Sequence, residues 1–236
     1  TEIYTLSLHD ALPISILTNK NQFSARVAGI LGFRNFSKES IFALDDNMKL
    51  NIKKVLEFIN KYKNQKIIIF GFTYLIYENF IKELIKYKKK INLPQGIIIH
   101  GGGWKKLSNL NISNLEFKLK LKKYCNISNV HNYYGMVEQT GSIFFECRNG
   151  NFHTSLFNDV LIRNKYDFSL SKVGESGIVQ VFSLIPESYP GHSILTEDEG
   201  LMLGENNCGC GNKSKYFKII GRIQHSEIRG CSDAYE

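Results

Sequence analysis

Two short apolar runs, each followed directly by glycine, place the strongest constraint on how this chain can fold. Lys66 to Phe70 (K-I-I-I-F) ends at Gly71, and Gly96 to His100 (G-I-I-I-H) runs into Gly101. Runs of this length and composition are typical of strands that are buried on both faces of a parallel sheet. The sequence therefore predicts a parallel sheet in this part of the chain.

Segments with helical periodicity separate these strands. Leu50 to Tyr62 and Thr73 to Lys90 both carry apolar residues at helical spacing. Ser113 and Glu116 have the spacing of a capping box, which predicts a further helix, and Asn129 to Tyr134 is the third predicted strand. The order strand, helix, strand, helix, strand implies parallel strands that are joined by right-handed crossovers.

Two glycine-containing motifs follow predicted strands: Gly101 to Trp104 (G-G-G-W) and Tyr134 to Glu138 (Y-G-M-V-E). Parallel α/β sheets bind ligands beyond the carboxyl ends of their strands, so we expect both motifs at one edge of the sheet. A tyrosine ring can face a purine, Gly135 lets the backbone approach a phosphate, and a carboxylate can hold a divalent cation. The pattern favours nucleotide chemistry, with a packed turn as the alternative.

The second half of the chain is predicted to be mostly β. Ile143 to Cys147 and Phe152 to Ser155 flank an Asn149-Gly150 turn and predict a hairpin. Further strands are expected at Val160 to Arg163 and Gly177 to Leu184. No low-complexity linker separates the halves, so the expected architecture is one α/β domain, a parallel sheet with crossover helices, that carries a β-rich extension.

The first residues need separate treatment. Thr1 to Ile14 (T-E-I-Y-T-L-S-L-H-D-A-L-P-I) resembles the translation of a common sequencing-adapter oligonucleotide, and we exclude it from the fold argument as an expected artefact. A native strand or a targeting segment is the alternative, but no basic start precedes a long apolar run. We then expect an α/β nucleotide-binding part over residues 15–141 and a β-rich part over residues 142–236, with the native N-terminus missing.

Composition limits the class of protein. A chain of 236 residues that is 43% hydrophobic can bury a core, and it contains no run of about 18 apolar residues, so we predict no membrane span. Its five cysteines are an odd number without a secretion signal. Cytosolic thiols, a metal site or a catalytic thiol are therefore favoured over a disulfide framework, and we expect a cytoplasmic protein.

The net charge of +8 raises the question of a nucleic-acid partner. The densest lysine runs, Lys86 to Lys90 and Lys118 to Lys123, fall on predicted amphipathic helices, where lysine commonly forms the solvated face. Aromatic residues are not interleaved with these lysines as a stacking platform requires. We therefore predict no nucleic-acid binding, although a non-catalytic, zinc-stabilised, basic binding module stays an alternative.

Four residues of the β-rich half have the character of metal ligands. Cys208 and Cys210 form a compact C-G-C-G segment, while Cys147 and His153 bracket the Asn149-Gly150 turn. Two such pairs can meet in a tetrahedral Cys₃His zinc site, although this spacing is less diagnostic than paired C-x-x-C motifs. We predict a structural Zn²⁺ here, because no ligand position is left open for chemistry.

Four longer segments carry a family resemblance: H-G-G-G-W-K-K from His100, H-N-Y-Y-G-M-V-E-Q-T-G-S-I-F from His131, Y-P-G-H-S-I-L-T-E-D-E-G from Tyr189 and E-I-R-G-C-S-D from Glu227. In this order the chain, from about Phe23 to its end, resembles the acyl-protein synthetase of the bacterial bioluminescence fatty-acid reductase (LuxE type). That family belongs to the adenylate-forming superfamily and is related to phenylacetate–CoA ligases. The resemblance implies the large-domain part of the adenylate-forming fold.

The resemblance also implies an activity. A long-chain fatty acid would be activated with ATP and Mg²⁺ as an acyl-adenylate and then transferred to a cysteine thiol. Cys231 matches the cysteine that accepts the acyl group as a thioester, before a reductase partner takes it. An inert terminal cysteine is the alternative for Cys231, and an acyl- or aryl-CoA ligase is the alternative activity.

Nucleotide-site roles follow from the same resemblance. Tyr134 and the backbone of Gly101, Gly102 and Gly103 would flank the adenine, and Glu138 would hold Mg²⁺. Asp198 would accept hydrogen bonds from the ribose hydroxyls, and Arg222 would place positive charge near the ribose and phosphate. A turn aspartate in an acidic loop is the alternative for Asp198. The Ser/Thr/Gly-rich phosphate loop of such enzymes is not found in this sequence, so we expect this fragment to be inactive.

Overall fold

The structure is a computed structural model that describes residues 2–8, 32, 35–45, 47–103, 112–136 and 138–223. Contacts between the described residues divide the chain into two compact units. The first unit extends to His131, and the second begins at Asn132. This boundary falls before the one that we predicted between residues 141 and 142, because the end of the third predicted strand pairs with a strand of the second unit.

A parallel sheet forms the centre of the first unit. Strand β1 is adjacent to β2 on one side and to β3 on the other, β3 is adjacent to β4, and all three pairs are parallel. The fifth strand, β5, follows β4 in the order and continues into the second unit. The bounds of these strands are β1 Ile3–Ser7, β2 Glu39–Phe42, β3 Lys66–Phe72, β4 Ile97–Gly101 and β5 Asn129–Gly135.

Helices cover this sheet where the periodicity predicts them. Helix α1 (Ile52–Lys61) begins after Asn51, whose side chain accepts a hydrogen bond from the Lys54 amide. Helix α4 (Asn114–Cys125) begins after Ser113, whose side chain accepts one from the Glu116 amide, as the capping box predicts. The intervening helix is segmented into α2 (Thr73–Leu75), a π-helical stretch (Ile76–Ile81) and α3 (Lys82–Lys86).

The N-terminal segment differs from our expectation. We excluded Thr1 to Ile14 from the fold, yet β1 pairs with two strands and lies inside the sheet. Leu6 and Leu8 are fully buried in the same core cluster as Ile69 and Phe80. Alternating apolar and β-branched residues let the segment fit a pleated, buried position. The exclusion of this segment from the fold was therefore wrong. That the segment comes from a sequencing adapter stays a prediction.

A five-stranded antiparallel sheet dominates the second unit, in the order β7-β11-β10-β9-β8. Its strands and the neighbouring β6 have the bounds β6 Ile143–Phe145, β7 Phe152–His153, β8 Asn158–Arg163, β9 Ser176–Ser183, β10 Ser193–Glu205 and β11 Lys215–Arg222. The core contains Phe144, Val179, Val181 and Phe217, all fully buried. The β-rich prediction is confirmed, and β8 and β9 lie where the sequence placed them.

Two features of this unit were not predicted. The proposed hairpin is reduced to a turn and a single bridge between Glu146 and Phe152, because β6 pairs with β5 and β7 pairs with β11. Strands β10 and β11 were missed. For β10, the acidic stretch that contains Asp198 has low β-propensity and is held in the sheet by its neighbours. Within the part of the chain that is described, no helix is long and apolar enough to cross a membrane.

Candidate functional site

Three residues from three separate motifs meet in the second unit. Tyr134 on β5 donates a hydrogen bond from its hydroxyl to Oδ2 of Asp198 on β10, at 2.7 Å. Asp198 and Arg222 are register partners on β10 and β11, and Arg222 Nε lies 3.6 Å from Asp198 Oδ1. The turn interpretation of Asp198 was therefore wrong, because the residue lies within a strand.

The position of Asp198 is fixed by its own strand. Its backbone amide donates to Thr196 Oγ1, and the same hydroxyl donates to the Val179 carbonyl of β9 at 2.8 Å. Arg222 also forms an ion pair with Glu197, at 3.3 Å. A carboxylate offers about four acceptor positions, so Asp198 retains acceptor capacity for hydroxyl donors beyond Tyr134 and Arg222.

Tyr134 takes part in this group of three residues through its hydroxyl, while its ring packs in the core. The ring packs among Phe144, Phe152 and Phe217 with centroid separations of 6.1, 6.2 and 6.3 Å. Burial, together with the neighbouring Asp198 carboxylate, raises the pKa of Tyr134 well above its usual value. The phenol therefore stays protonated and serves as a permanent donor to Asp198. Nothing in the sequence pattern distinguishes this role from stacking on a purine.

The turn after β5 presents one exposed carboxylate. Glu138 is exposed, whereas Gln139 and Ser142 are each 1% exposed. Gly135 ends β5 at a close approach, because an added Cβ would lie 2.7 Å from the Ser142 carbonyl oxygen. The glycine is thus required by contact between two parts of the backbone, whereas the sequence suggested contact with a phosphate.

The glycine-rich segment belongs to the first unit. Gly101 ends β4, and the Thr73 hydroxyl lies 3.1 Å from the Gly101 carbonyl oxygen and 2.9 Å from that of Gly102. Gly102 has a φ of 72°, which favours glycine. Trp104 lies outside the described residues. The predicted meeting of this segment with the Tyr134 motif at one edge stays a prediction.

His100 immediately precedes this segment, and the sequence analysis assigned it no role of its own. Its Nδ1 is 2.9 Å from the Thr73 hydroxyl, and its ring is 2% exposed. Burial, with the charges of Lys118 and His131, lowers the pKa of His100 to about 3. The imidazole is therefore neutral at physiological pH. Its position immediately before three glycines is the only sequence signal for its role.

The four predicted metal ligands converge in the second unit. Their ligand atoms all lie within 4.8 Å of one another. Cys147 Sγ is 3.7 Å from Cys208 Sγ, and Cys210 Sγ is 3.4 Å from His153 Nε2. For a tetrahedral zinc with Zn–S bonds of about 2.3 Å and Zn–N bonds of about 2.0 Å, the expected S–S and S–N separations are about 3.8 and 3.5 Å. These two separations therefore fit a tetrahedral zinc ion.

Neighbouring polar groups orient these ligands. Ser214 Oγ is 3.1 Å from His153 Nδ1, which leaves Nε2 facing Cys210. Asn151 Nδ2 donates to Cys208 Sγ, and the Asn212 amide donates to Cys210 Sγ. Burial favours the thiol of Cys208, but hydrogen bonds from groups that include Asn151 and His153 prevail and lower its pKa to about 6. Sequence spacing found the ligands but not these partners.

The remaining two cysteines are not among these predicted ligands. Cys125 is fully buried at the end of α4, where burial raises its pKa to about 12. Cys231, the candidate acyl acceptor, lies outside the described residues, and its role stays a prediction.

Known structures define the class of fold. An open conformation of 2-hydroxyisobutyryl-CoA ligase in complex with 2-HIB-AMP and CoA matches 96% of this chain and 50% of its own, with a TM-score of 0.66 at 14% identity. A long-chain-fatty-acid–CoA ligase from Archaeoglobus fulgidus matches 93% and 44%, with a TM-score of 0.58 at 12% identity. O-succinylbenzoate coenzyme A synthetase from Bacillus subtilis, in complex with ATP and magnesium, matches 94% and 42%, with a TM-score of 0.54 at 14% identity.

These likenesses establish the fold: a parallel sheet with a further antiparallel sheet, as in adenylate-forming enzymes. The chain spans about half the length of the structures that it resembles. No curated protein matches it in sequence. The family model of the acyl-protein synthetase LuxE matches residues 7–236, and the chain belongs to this family.

Proposed function

We propose that this chain is part of an ATP-dependent acyl-protein synthetase that activates a long-chain fatty acid and transfers it to a thiol. The observation that carries the proposal is the hydrogen-bonded group of Tyr134, Asp198 and Arg222, because three motifs that the family resemblance assigns to one nucleotide meet there. The match to the LuxE family supports the same activity. The relation to a fatty-acid–CoA ligase in fold is consistent with an acyl substrate.

The first half-reaction needs positioning and charge neutralisation more than covalent help from the protein. The fatty-acid carboxylate attacks the α-phosphate of ATP, an O–P bond forms, and pyrophosphate leaves. Asp198 accepts hydrogen bonds from the ribose hydroxyls, and Arg222 places positive charge beside them. Glu138 would hold the Mg²⁺ that accompanies ATP, as the family resemblance implies for this glutamate.

The second half-reaction moves the acyl group to sulfur. The Cys231 thiolate attacks the carbonyl carbon of the acyl-adenylate, a C–S bond forms, the C–O bond to phosphate breaks, and AMP leaves. A guanidinium near the thiol would favour its thiolate form, and Arg229 comes two residues before Cys231 in the sequence. The thioester is then available to a reductase partner.

The test uses the natural full-length protein, because this chain spans about half the length of its structural relatives. We would supply ATP, Mg²⁺ and labelled long-chain fatty acid, and measure pyrophosphate release and hydroxylamine-labile label on the protein. Parent protein should give both, and Cys231→Ser should release pyrophosphate without retaining label.

Other outcomes separate the alternatives. Pyrophosphate release without label in the parent, but with acyl-CoA formed when CoA is added, supports an acyl-CoA ligase. Absence of pyrophosphate release with every fatty acid contradicts the adenylation assignment. For the isolated chain we expect little or no adenylation, since its sequence contains no phosphate loop.

We also propose that Cys147, His153, Cys208 and Cys210 hold a structural Zn²⁺, which would connect the turn before β7 to the loop between β10 and β11. The fit of their separations to a tetrahedral ion supports this. Metal analysis should find about one zinc per chain. Cys208→Ser should lose it, and the matched variant Cys125→Ala, in the other unit, should retain it. A metal-free, stably folded parent protein contradicts the proposal.

A further inference from the structure

The side chain that follows Glu138 is buried and fully hydrogen-bonded. Gln139 Nε2 donates to the Val181 carbonyl at 3.3 Å and to the Gly191 carbonyl at 2.5 Å. Its Oε1 accepts a hydrogen bond from the Ser142 hydroxyl. Because both amide hydrogens and the carbonyl oxygen are used, the amide fits in one orientation only. Gln139 therefore fixes the turn against β9 and the segment after it.

Thr140 is held by the end of β9 and by the segment that precedes β10. The Thr140 amide donates to the Tyr189 hydroxyl at 2.8 Å, and that hydroxyl donates to Thr140 Oγ1 at 3.3 Å. The Ser183 hydroxyl donates to the Thr140 carbonyl at 2.6 Å. Gly191 is required beside Tyr189, because an added Cβ would lie 2.2 Å from its ring.

Glu138 itself is exposed and lies on a turn. An exposed carboxylate on a turn has many conformations, whereas Mg²⁺ demands near-octahedral geometry and tolerates little displacement of its ligands. A precise position for Glu138 must therefore come from its neighbours. Gln139 and Thr140 are those neighbours, and both are held by residues 181–191.

We propose that Gln139 and Tyr189 are positioning residues for Glu138 and so for the Mg²⁺ that accompanies ATP. This inference rests on the proposed adenylating function. The Y-P-G-H segment that begins at Tyr189 has no part in the proposed nucleotide contacts, and the positioning of Glu138 gives it a role. Neither residue touches the ion or the reacting atoms.

Two substitutions test this role with little change in shape. Tyr189→Phe removes only the hydroxyl that holds Thr140. Gln139→Glu keeps the shape but replaces the two N–H donors with an oxygen that faces the Val181 and Gly191 carbonyls, so it should perturb the turn more strongly. Tyr166→Phe is the matched control, because Tyr166 lies in the same unit and is 92% exposed.

The measurement is the rate of ATP–pyrophosphate exchange by the full-length protein as a function of Mg²⁺ concentration. Tyr189→Phe removes both hydrogen bonds of its hydroxyl to Thr140. It should raise the Mg²⁺ concentration for half-maximal rate by about three- to tenfold, and excess Mg²⁺ should restore the rate. Gln139→Glu should raise it further. The KM of Tyr189→Phe for fatty acid should stay at the parent value, its thermal midpoint should fall by at most about 2–4 °C, and Tyr166→Phe should match the parent throughout.

The outcomes are distinguishable. An unchanged Mg²⁺ midpoint in Tyr189→Phe, with the parent active, overturns the positioning role and leaves the proposed function intact. A lower rate that excess Mg²⁺ does not restore also overturns it, because general damage to the fold has that signature. A parent protein that catalyses no exchange overturns the proposed function and this inference with it. If Gln139→Glu does not fold, Tyr189→Phe alone decides.

Discussion

The Tyr134 hydroxyl donates a 2.7 Å hydrogen bond to the carboxylate of Asp198, a residue 64 positions further along the chain. The bond connects β5, which enters the second unit from the parallel sheet, with β10 of the antiparallel sheet. Through this bond, residues of the Y-G-x-x-E and T-x-D motifs contact one another. Arg222 joins them from β11.

Tyr134→Phe should weaken nucleotide binding while leaving the fold intact. The ring keeps its contacts with Phe144, Phe152 and Phe217, so the free energy of unfolding should fall by only about 1 kcal/mol. Asp198 loses a donor that orients it, and the KM for ATP should rise by about three- to tenfold. Steady-state kinetics of adenylation, beside urea unfolding, checks both expectations. A loss of several kcal/mol in stability with an unchanged KM would show that the hydroxyl serves packing alone.

His100→Gln should make the protein less sensitive to acid. The pKa of His100 is lowered in the folded state to about 3, so the unfolded chain binds a proton that the folded chain does not between pH 6.5 and 3. The contribution of the neutral imidazole is therefore complete above pH 6.5 and is lost as the pH falls towards 3. In that window the parent should lose about 1.4 kcal/mol per pH unit more than the variant. Urea unfolding at several pH values measures this slope, and equal slopes contradict the assignment of a buried, neutral His100.

Gly141→Ala should destabilise the second unit more than Gly174→Ala does. Both glycines have a positive φ, of 90° and 89°, so the backbone strain is matched. An added Cβ at Gly141 would lie 2.7 Å from Ile185 Cδ1 and from Ser183 Oγ, whereas at Gly174 it meets open space. Strain should cost about 1 kcal/mol at either position, and the clash should add about 1–3 kcal/mol at Gly141. Denaturant unfolding of the two variants gives the difference, and equal losses would mean that the turn moves away freely.

If the proposed zinc is bound, its chelation should destabilise the second unit and weaken ATP binding at the proposed nucleotide site. Strands β10 and β11 connect the cysteine cluster to Asp198 and Arg222, so loosening the loop between them should reach both residues. At a zinc concentration of about 1,000 times its Kd, binding stabilises the fold by about 4 kcal/mol, which chelation removes. Calorimetry with and without chelator measures this stabilisation. A Cys208→Ser variant that responds to chelator as the parent does would place the metal elsewhere.

Local signals in the sequence predicted the parts of the fold that depend on neighbouring residues. Short apolar runs in the sequence predicted the strands that end at Phe72 and Gly101, and the spacing of Ser113 to Glu116 predicted the cap of α4. The pairing of β6 with β5 could not be predicted, because strand partners are set by packing that is distant in sequence.

In the candidate sites, too, residue types could be predicted from the sequence, whereas contacts between distant residues could not. Cysteine and histidine types identified the cluster, since few other residues bind zinc. Motif resemblance named Asp198 and Arg222, but only the three-dimensional structure shows that Tyr134 acts on Asp198 through its hydroxyl. Thr73 and Gln139 were missed because the sequence does not show which polar side chains are buried or what they bond to.

The most direct test of the account is whether Asp198 binds the ribose hydroxyls of ATP. Equilibrium affinities for ATP and for 2′,3′-dideoxy-ATP should be measured with the full-length parent and with Asp198→Ala, with Asp159→Ala as a control on β8 of the same sheet. We predict that the parent and the control prefer ATP by about ten- to hundredfold, the value of a hydrogen bond to a charged acceptor, and that Asp198→Ala does not discriminate. A variant that prefers ATP as strongly as the parent would contradict the assignment of this site to the nucleotide.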